Sequence, residues 1–485
     1  MQIVSCPGCG AEVRFRSHAA VMAVCEYCNT RVLKDADSVR DLGKISAVLE
    51  DYSPIQIGSS GRLDERGFTV VGRIQLRYTD GLWNEWYLLF DDGAAGWLGD
   101  ASGQYMVTQQ ADDTGPLPPF KALTPNGQQL IGGVSYTVSD VREAQCVAAQ
   151  GELPFPVETG WTTHVADLRH TDKFLTLDYG DDGTPQLYAG RAGKLADFHF
   201  QLLRDEDAIL RSAGRYRGKL AALNCPSCGT AISYLPGMTA TLVCQSCRSQ
   251  IDAASPEAKV LAAGVQWESV GQTVPLGAEG HLSGDALRII GVMRRSDGED
   301  NWTEYLMYSA RDGFSWLVET GDGWFRAAVL DKWPEQDASD HKVMRFGNLS
   351  FKHQYTYSAA VIFAAGAFNW RVKAGESTTV SEYKHGNASL AMERTAEEVT
   401  WSLSVPLSDD QVRMAFKLPG GKQRKTGTLN VSNGYRDAAK KCLWMLLGLN
   451  AVPLMFAFSS TLVYTALAAL AIYLPAIFLD SNDPS

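Results

Sequence analysis

The sequence has no surplus of basic residues. Its 44 Lys and Arg stand against 55 Asp and Glu, a formal net charge of −11. A main role on nucleic acid needs a basic face for phosphate, so that partner is not expected. The short motifs that usually carry an enzyme assignment are missing too: no GxGxxG, no P-loop, no HExxH and no GxSxG elbow. The start, Met1-Gln2-Ile3-Val4-Ser5, has no basic region followed by an apolar run, so no signal peptide is expected. Cysteine is nearly confined to one pattern, with eight of ten in CxxC pairs. In a reducing compartment that pattern means metal rather than disulfides. Cys146 and Cys442 are left over and read as plain small apolar residues.

What is present begins with Cys6-Pro7-Gly8-Cys9 and Cys25-Glu26-Tyr27-Cys28, separated by 15 residues. That is the spacing of a zinc ribbon, two knuckles offering four thiolates. The pattern returns as Cys225, Cys228, Cys244 and Cys247, offset by 219 residues. Four sulfurs complete a Zn²⁺ tetrahedron and leave no place for water, so two structural zinc ions are expected. Such a site also supplies folding energy that a short ribbon cannot gather from a core. Pro7 and Pro226 stiffen the knuckles, and Gly10 and Gly229 allow the turn after the second thiolate. Redox use of CxxC is the competing reading, but a thioredoxin-like βαβ context is missing.

The offset extends beyond the ribbons. Gly58, Gly61, Leu63, Gly72, Trp83, Glu85 and Trp97 recur as Gly277, Gly280, Leu282, Gly291, Trp302, Glu304 and Trp316. Later it falls to 215, where Asp167-Leu168-Arg169-His170 faces Glu382-Tyr383-Lys384-His385. A period this long is tandem domain duplication rather than a solenoid. Short aromatic and β-branched runs such as Phe68 to Ile74 and Trp86 to Phe90, broken by Gly/Asp turns, read as strands. The fold class is mainly β: two zinc ribbons, two tandem antiparallel barrel or sandwich domains, and a C-terminal transmembrane helical hairpin. The paired glycines mark bulges or tight bends.

The expected organisation is ribbon one over 1–34, a helical linker over 35–51, β domain one over 52–200 and a linker over 201–222. Ribbon two follows over 223–253, a linker over 254–269 and β domain two over 270–416. Helical spacing of Leu42, Ile45, Val48 and Leu49 suggests the first linker, and 201–223 reads as charged and partly helical. A basic segment over 417–441 holds Lys417, Lys422, Arg424, Lys425, Arg436, Lys440 and Lys441 against Asp437 alone. Residues 442–479 carry no charge, and 480–485 form a tail. As one helix the uncharged stretch would measure about 57 Å against a hydrocarbon core of about 30 Å. A hairpin turning near Ser459-Ser460, or near Asn450 to Pro453, fits better. One span with an interfacial segment, or a buried soluble helical pair, are the alternatives. The basic approach places the bulk of the chain in the cytosol, anchored in the inner membrane.

Glu85 and Glu304, each beside a tryptophan, are the candidates for a shared functional acid; the plainer reading is a solvated strand residue. His170 and His385 match in position and read as structural. Trp83, Trp86, Trp97, Trp161, Trp302, Trp316, Trp324 and Trp370 could line a groove, though in a β body such residues are more often core.

The Cys-Pro-x-Cys-Gly ribbon, the Gly72 to Trp97 segment and Gly151-Glu152-Leu153-Pro154-Phe155 resemble a bacterial family known as domain of unknown function 4178. The resemblance covers both bodies, with ribbons and tail as attachments. Copy two departs from it, since Ala367 and Asn369 replace the acid and the proline. The resemblance implies a membrane-associated assembly, because members tend to be encoded near polyamine-synthase-like and phage-shock-like membrane-stress proteins.

The expected function is therefore a non-enzymatic membrane-anchored scaffold facing the cytosol. Membrane lipid is the partner through the hairpin, and the sequence does not name a protein partner. The alternative is a module whose β bodies bind a small ligand or peptide. The third reading is an enzyme using Glu85 and Glu304. A contiguous polar cleft around Glu85 would favour the enzyme, and a dry aromatic groove the binding module.

Overall fold

Strand-forming residues dominate the chain because each body can bury them only by wrapping a sheet on itself. In a computed structural model, residues 2–34, 39–46, 48, 53–101, 103–111, 115–158, 160–180, 183–205, 208–209, 215–216, 219–220, 223–232, 241–252, 260–262, 271–309, 312–419, 439, 442–450 and 458–481 are described. Copy one starts with β1 (Gln2–Ser5), β2 (Glu12–Phe15), β3 (Met22–Val24), β4 (Thr30–Lys34) and β5 (Val39–Lys44). Its body contains β6 (Ser60–Leu63), β7 (Arg66–Tyr78), β8 (Gly81–Phe90), β9 (Ala95–Ala101), β10 (Gln104–Gln110) and β11 (Gln128–Ile131). Then come β12 (Val134–Leu153), β13 (Thr162–His170), β14 (Lys173–Tyr179) and β15 (Pro185–Gly193).

The 20-residue β12 decides the architecture. Its residues Thr137 to Gln145 pair with β13, and Cys146 to Gly151 pair with β7. Following the pairings from β12 through β13, β14, β15, β10, β9, β8 and β7 therefore returns to β12. The body is a closed eight-stranded antiparallel barrel rather than a sandwich. Copy two repeats the ring with Asp285–Ser296, Asn301–Ser309, Gly313–Thr320, Gly323–Val329, Leu349–Phe368, Ser377–His385, Ala388–Arg394 and Val399–Leu407.

Closure brings two backbones into contact. A Cβ on Gly72 would lie 1.8 Å from the Glu152 carbonyl oxygen, and the facing Gly151 has φ +71°. Gly291 and Gly366 repeat the crossing, with a 2.7 Å approach to the Ala367 carbonyl. A bulge sits at each matched glycine, between Val70 and Gly72 and between Ile289 and Gly291. Only glycine tolerates that approach, which accounts for the repeated glycines.

The ribbons are not separate from the barrels. β3 continues the sheet by pairing with the end of β12, and Thr241–Val243 does the same with Phe368 to Gly366. Glu152 reinforces the first junction, accepting hydrogen bonds from the Arg16 and Ser17 amides at 2.7 and 2.8 Å. Ala367 at the second junction is buried with Cys225, Leu242, Cys244 and Ile251.

Three expectations are corrected. The helical linker over 35–51 is in its described part a strand, β5, which pairs with β4. Gly43 takes φ +82° and its amide bonds the Asp41 side chain at 2.7 Å, a turn that breaks helical continuation. The helix Phe458–Ser481 has Ser459 and Ser460 in its first turn, and the turn expected near them or near Asn450 to Pro453 falls on 451–457, outside the described residues. Cys442 is exposed rather than packed. Residues 442–450 are helical and 451–457 lie outside the described residues, as does most of the basic segment. Among the described residues no helix is long and apolar enough to cross a membrane, so the hairpin is unsupported. In the linker over 201–223 the described residues are helical only at 208–209, and Arg215–Tyr216 pairs with Lys219–Leu220 as strands. The chain divides into two units, Met1–His353 with Tyr357–Gly427 and Gln354–Thr356 with Thr428–Ser485, so both barrels belong to the first.

Candidate metal centres and a polar cavity

The eight cysteines form two four-sulfur clusters. Within each, the ligand atoms lie within 4.8 Å of one another. Cys6 and Cys28 approach to 3.6 Å and Cys9 and Cys25 to 3.7 Å; the second cluster has 3.5 and 3.7 Å. A tetrahedron with metal–sulfur bonds of about 2.3 Å has sulfur–sulfur edges of about 3.8 Å, so the donor sets fit a metal ion. The backbone builds each knuckle alike. The amide of Gly10 bonds the Cys6 carbonyl, Asn29 bonds Cys25, Gly229 bonds Cys225 and Arg248 bonds Cys244. All four turn residues have positive φ, from 58° to 79°. Hydroxyls stand beside the thiols, Thr30 at 3.1 Å from Cys28 and Ser249 at 3.3 Å from Cys247. These hydrogen bonds draw both thiols down to about 6, toward the thiolate that a metal requires.

The second feature lies in barrel one. Strand alternation puts Val165, Asp167 and Arg169 on its cavity side, while Ala166 and Leu168 point the other way into a cluster with Leu175 and Leu177. β8 likewise turns Trp83 and Glu85 inward. The cavity face of these strands encloses about 140 Å³ and shares its interior with the apolar cluster of Ile74, Leu76 and Tyr87, against which Trp83 packs. Buried polar groups are the informative departure in a protein core.

The cavity residues fall into two sets. In the first, Arg142 pairs with Asp140 and, at 2.5 Å, with Glu398 of copy two, and lies 4.1 Å over the Tyr78 ring. Burial pushes Asp140 up to about 8 although the Arg142 charge opposes it. Arg169 donates to the Asp331 carbonyl at 3.2 Å and stands between the Phe174 and Trp333 rings. Copy two therefore supplies one wall, held by the Val141 amide on the Glu397 carbonyl and the Trp333 amide on the Thr171 carbonyl.

The second set surrounds Glu85. Trp83 Nε1 donates to its carboxylate at 2.9 Å. Asp167 accepts from Thr176 at 2.7 Å; beyond the cavity lining, Asp178 accepts from Thr163 at 2.5 Å. Burial raises Glu85 to about 7, and repulsion from Asp167 and Asp178 adds to it; among the described residues no cation acts on it. Asp167 and Asp178 are also raised by burial. Glu85 is half-buried, keeping accessible surface where it lines the cavity.

Barrel two is different at the Leu76 position. Register places Leu76 opposite Trp83 and Arg295 opposite Trp302. Arg295 is 4% exposed and ion-pairs Glu304 at 3.4 Å and Glu393 at 2.9 Å. It also bonds Thr378 and lies 6.0 Å over the Trp302 ring. Glu304, Glu393, Thr378 and Trp302 are the counterparts of Glu85, Asp178, Thr163 and Trp83. Trp302 Nε1 donates to Glu304 at 2.7 Å, as Trp83 does to Glu85.

Of the residues singled out in the sequence, Glu85 and Trp83 line the cavity, and Glu304 sits at the matching place in copy two. His170 and His385 do not join them: His170 stands 3.8 Å from Glu335 and stacks on Tyr136, and His385 bonds the Ser350 carbonyl at 2.9 Å. Trp86 and Trp324 are core, 1% exposed. Sequence reasoning missed Asp140, Arg142, Asp167, Arg169 and Glu398. A signal was present: Asp140-x-Arg142 and Asp167-x-Arg169 repeat charge at strand period inside apolar strands, so both charges share one face.

A family model described as Domain of unknown function (DUF4178) matches residues 56–193 and 275–409, one stretch per barrel. A search of curated proteins finds no match.

Proposed function

The chain belongs to the domain of unknown function family DUF4178, and we propose that it is a ligand-binding protein whose first barrel holds a small polar molecule. The polar cavity around Glu85 carries this reading: it is the cleft expected of the enzyme, lined as well by Trp83, Phe174 and Trp333, and a substrate too must first bind in it. Acidic and hydroxyl groups converge on it, and Trp83, Phe174 and Trp333 give it flat apolar walls, the mix typical of small-molecule sites. A volume of about 140 Å³ limits the occupant to a fragment-sized molecule or one arm of a larger one. The enzyme reading draws on the same cavity, since a carboxyl at about 7 is matched to acid–base work near neutrality. Binding is the step both readings require.

The cysteine clusters hold one structural Zn²⁺ each in this proposal, fixing the ribbons to the barrels. The tail serves as attachment to lipid or to an apolar partner, the scaffold role. Its support is the exposure of Trp444 at 76%, Leu449 at 79% and Tyr464 at 74%, an arrangement that leaves apolar surface to be covered. Truncation after Lys441 should release the protein from the membrane fraction; unchanged fractionation would remove that role.

Ligand-observed NMR of the full chain against cationic, anionic and neutral fragments tests the cavity. Gly99→Val introduces the residue that copy two has as Val318, and a Cβ there meets only Met106, at 3.5 Å. Fragments should bind the native chain and lose at least fivefold in affinity to the variant. Failure of every fragment, or equal binding to a folded variant, would overturn the proposal.

A further inference from the structure

Barrel two contains a cationic side chain where barrel one has the shorter, apolar Leu76. The Arg295 guanidinium lies among Glu304, Glu393, Thr378 and the Trp302 ring, and these groups hold its charge and its two terminal nitrogens. Barrel one keeps the counterparts of all four, as Glu85, Asp178, Thr163 and Trp83. It lacks only the cation, because Leu76 occupies the Arg295 position and its side chain ends without charge or donor. The two arginines that do line the cavity are engaged elsewhere: Arg142 with Asp140 and Glu398, Arg169 with Asp331 and two aromatic rings.

We propose that the ligand of barrel one is a guanidinium or amidinium compound, whose cationic head takes the place that Arg295 takes in barrel two. This rests on the reading of the cavity as a small-molecule site. The planar head donates to Glu85 and to Asp167, which Thr176 orients, and stacks toward Trp83, with Asp178 adding its charge from beyond the cavity wall. A fork of N–H donors meets two carboxylates at fixed angles, a geometry that a point-like ammonium reproduces less well. Charge and aromatic wall act together, since the indole face attracts a desolvated cation. The cavity continues toward Arg169 and Trp333, so the remainder of the ligand lies there and an acidic or hydrogen-bonding group on it would meet Arg169. The occupant is therefore a guanidino compound with a short tail rather than a peptide, which the enclosing strands exclude.

The test uses the full chain with ethylguanidinium as probe and ethylammonium, urea and propionate as comparators, followed by calorimetric titration and melting temperature. Ethylguanidinium should bind the native protein at least fivefold more tightly than ethylammonium, and urea and propionate should not bind. Leu76→Arg, which copies barrel two, should weaken ethylguanidinium at least tenfold; Glu85→Gln should do the same and serves if the first variant fails to fold. Arg295→Leu should lower the melting temperature, and ethylguanidinium should restore it more than equal ionic strength of sodium chloride. Unchanged binding to folded Leu76→Arg overturns the proposal. So does propionate or urea binding that Gly99→Val weakens while ethylguanidinium does not bind, an outcome that leaves the cavity a ligand site of another class. If no probe or fragment binds, both readings fail.

Discussion

The two barrels share strand order, glycine crossing and the Trp-x-Glu pair, yet their interiors have parted: Arg295, Val318 and Tyr357 stand where barrel one has Leu76, Gly99 and Arg142. Barrel two satisfies its buried carboxylates internally with Arg295, whereas barrel one leaves Glu85 without a cation and keeps a cavity beside it. On the proposed reading, a bound ligand supplies to the first copy the cation that the second carries in its own sequence. The wall that copy two contributes through Glu398 and Trp333 shows the second copy serving as a lid for the first. The junctions diverge in the same sense: ribbon one is tied by the Glu152 carboxylate and ribbon two by the packing of Ala367.

The largest effect expected is from the metal centres, where the copies should behave alike. Cys25→Ser and Cys244→Ser should each reduce zinc from two equivalents to one by elemental analysis, and each should unfold its own ribbon. Structural zinc contributes apparent binding free energies of roughly 10–16 kcal/mol in zinc-finger peptides, so a dispensable site would break the symmetry. Next is Arg295→Leu. It strands Glu304 and Glu393 without their cation and should cost about 3–5 kcal/mol in denaturant unfolding. Leu76→Arg should cost far less, because its carboxylates already wait; equal losses in the two variants would contradict the contrast.

Glu152→Ala removes the acceptor for the Arg16 and Ser17 amides and should destabilise by about 1–3 kcal/mol. The loss should appear as faster hydrogen exchange in ribbon one, with ribbon two unaffected. The smallest effect concerns pH. Burial raises Glu85 to about 7 in the folded state, above its unfolded value, so the folded chain binds the extra proton between those values. That stability is present at pH below the unfolded value and is lost as pH rises toward and through 7. Glu85→Gln should therefore gain relative to the native chain on going from pH 5 to pH 8, by about 1–2 kcal/mol once cavity water is allowed for. Thermal unfolding at both pH values measures it, and a gain in the opposite direction would place Glu85 near a cation.

Much of this was legible in the residues because repetition is a strong signal. The cysteine spacing and the matched Gly72 and Gly291 carried the ribbons and the duplication. Closure of the barrel was not legible, since it depends on β12 changing partner midway, a long-range event with no local signature. The Ala36 to Asp51 segment misled because Leu42, Ile45, Val48 and Leu49 carry helical spacing, while Gly43 and the edge of β4 select a strand. The cavity was half legible: the tryptophan beside Glu85 drew attention to it, but the division between Leu76 and Arg295 emerges only once register places both opposite a matched tryptophan.

The central claim is that the acidic site around Glu85 accepts the kind of cation that Arg295 supplies to Glu304. A crystal structure of the full-length Leu76→Arg variant tests it directly. The introduced guanidinium should lie beside Glu85 and superpose on that of Arg295. A guanidinium directed out of the barrel, with Glu85 still facing an open cavity, would contradict the account.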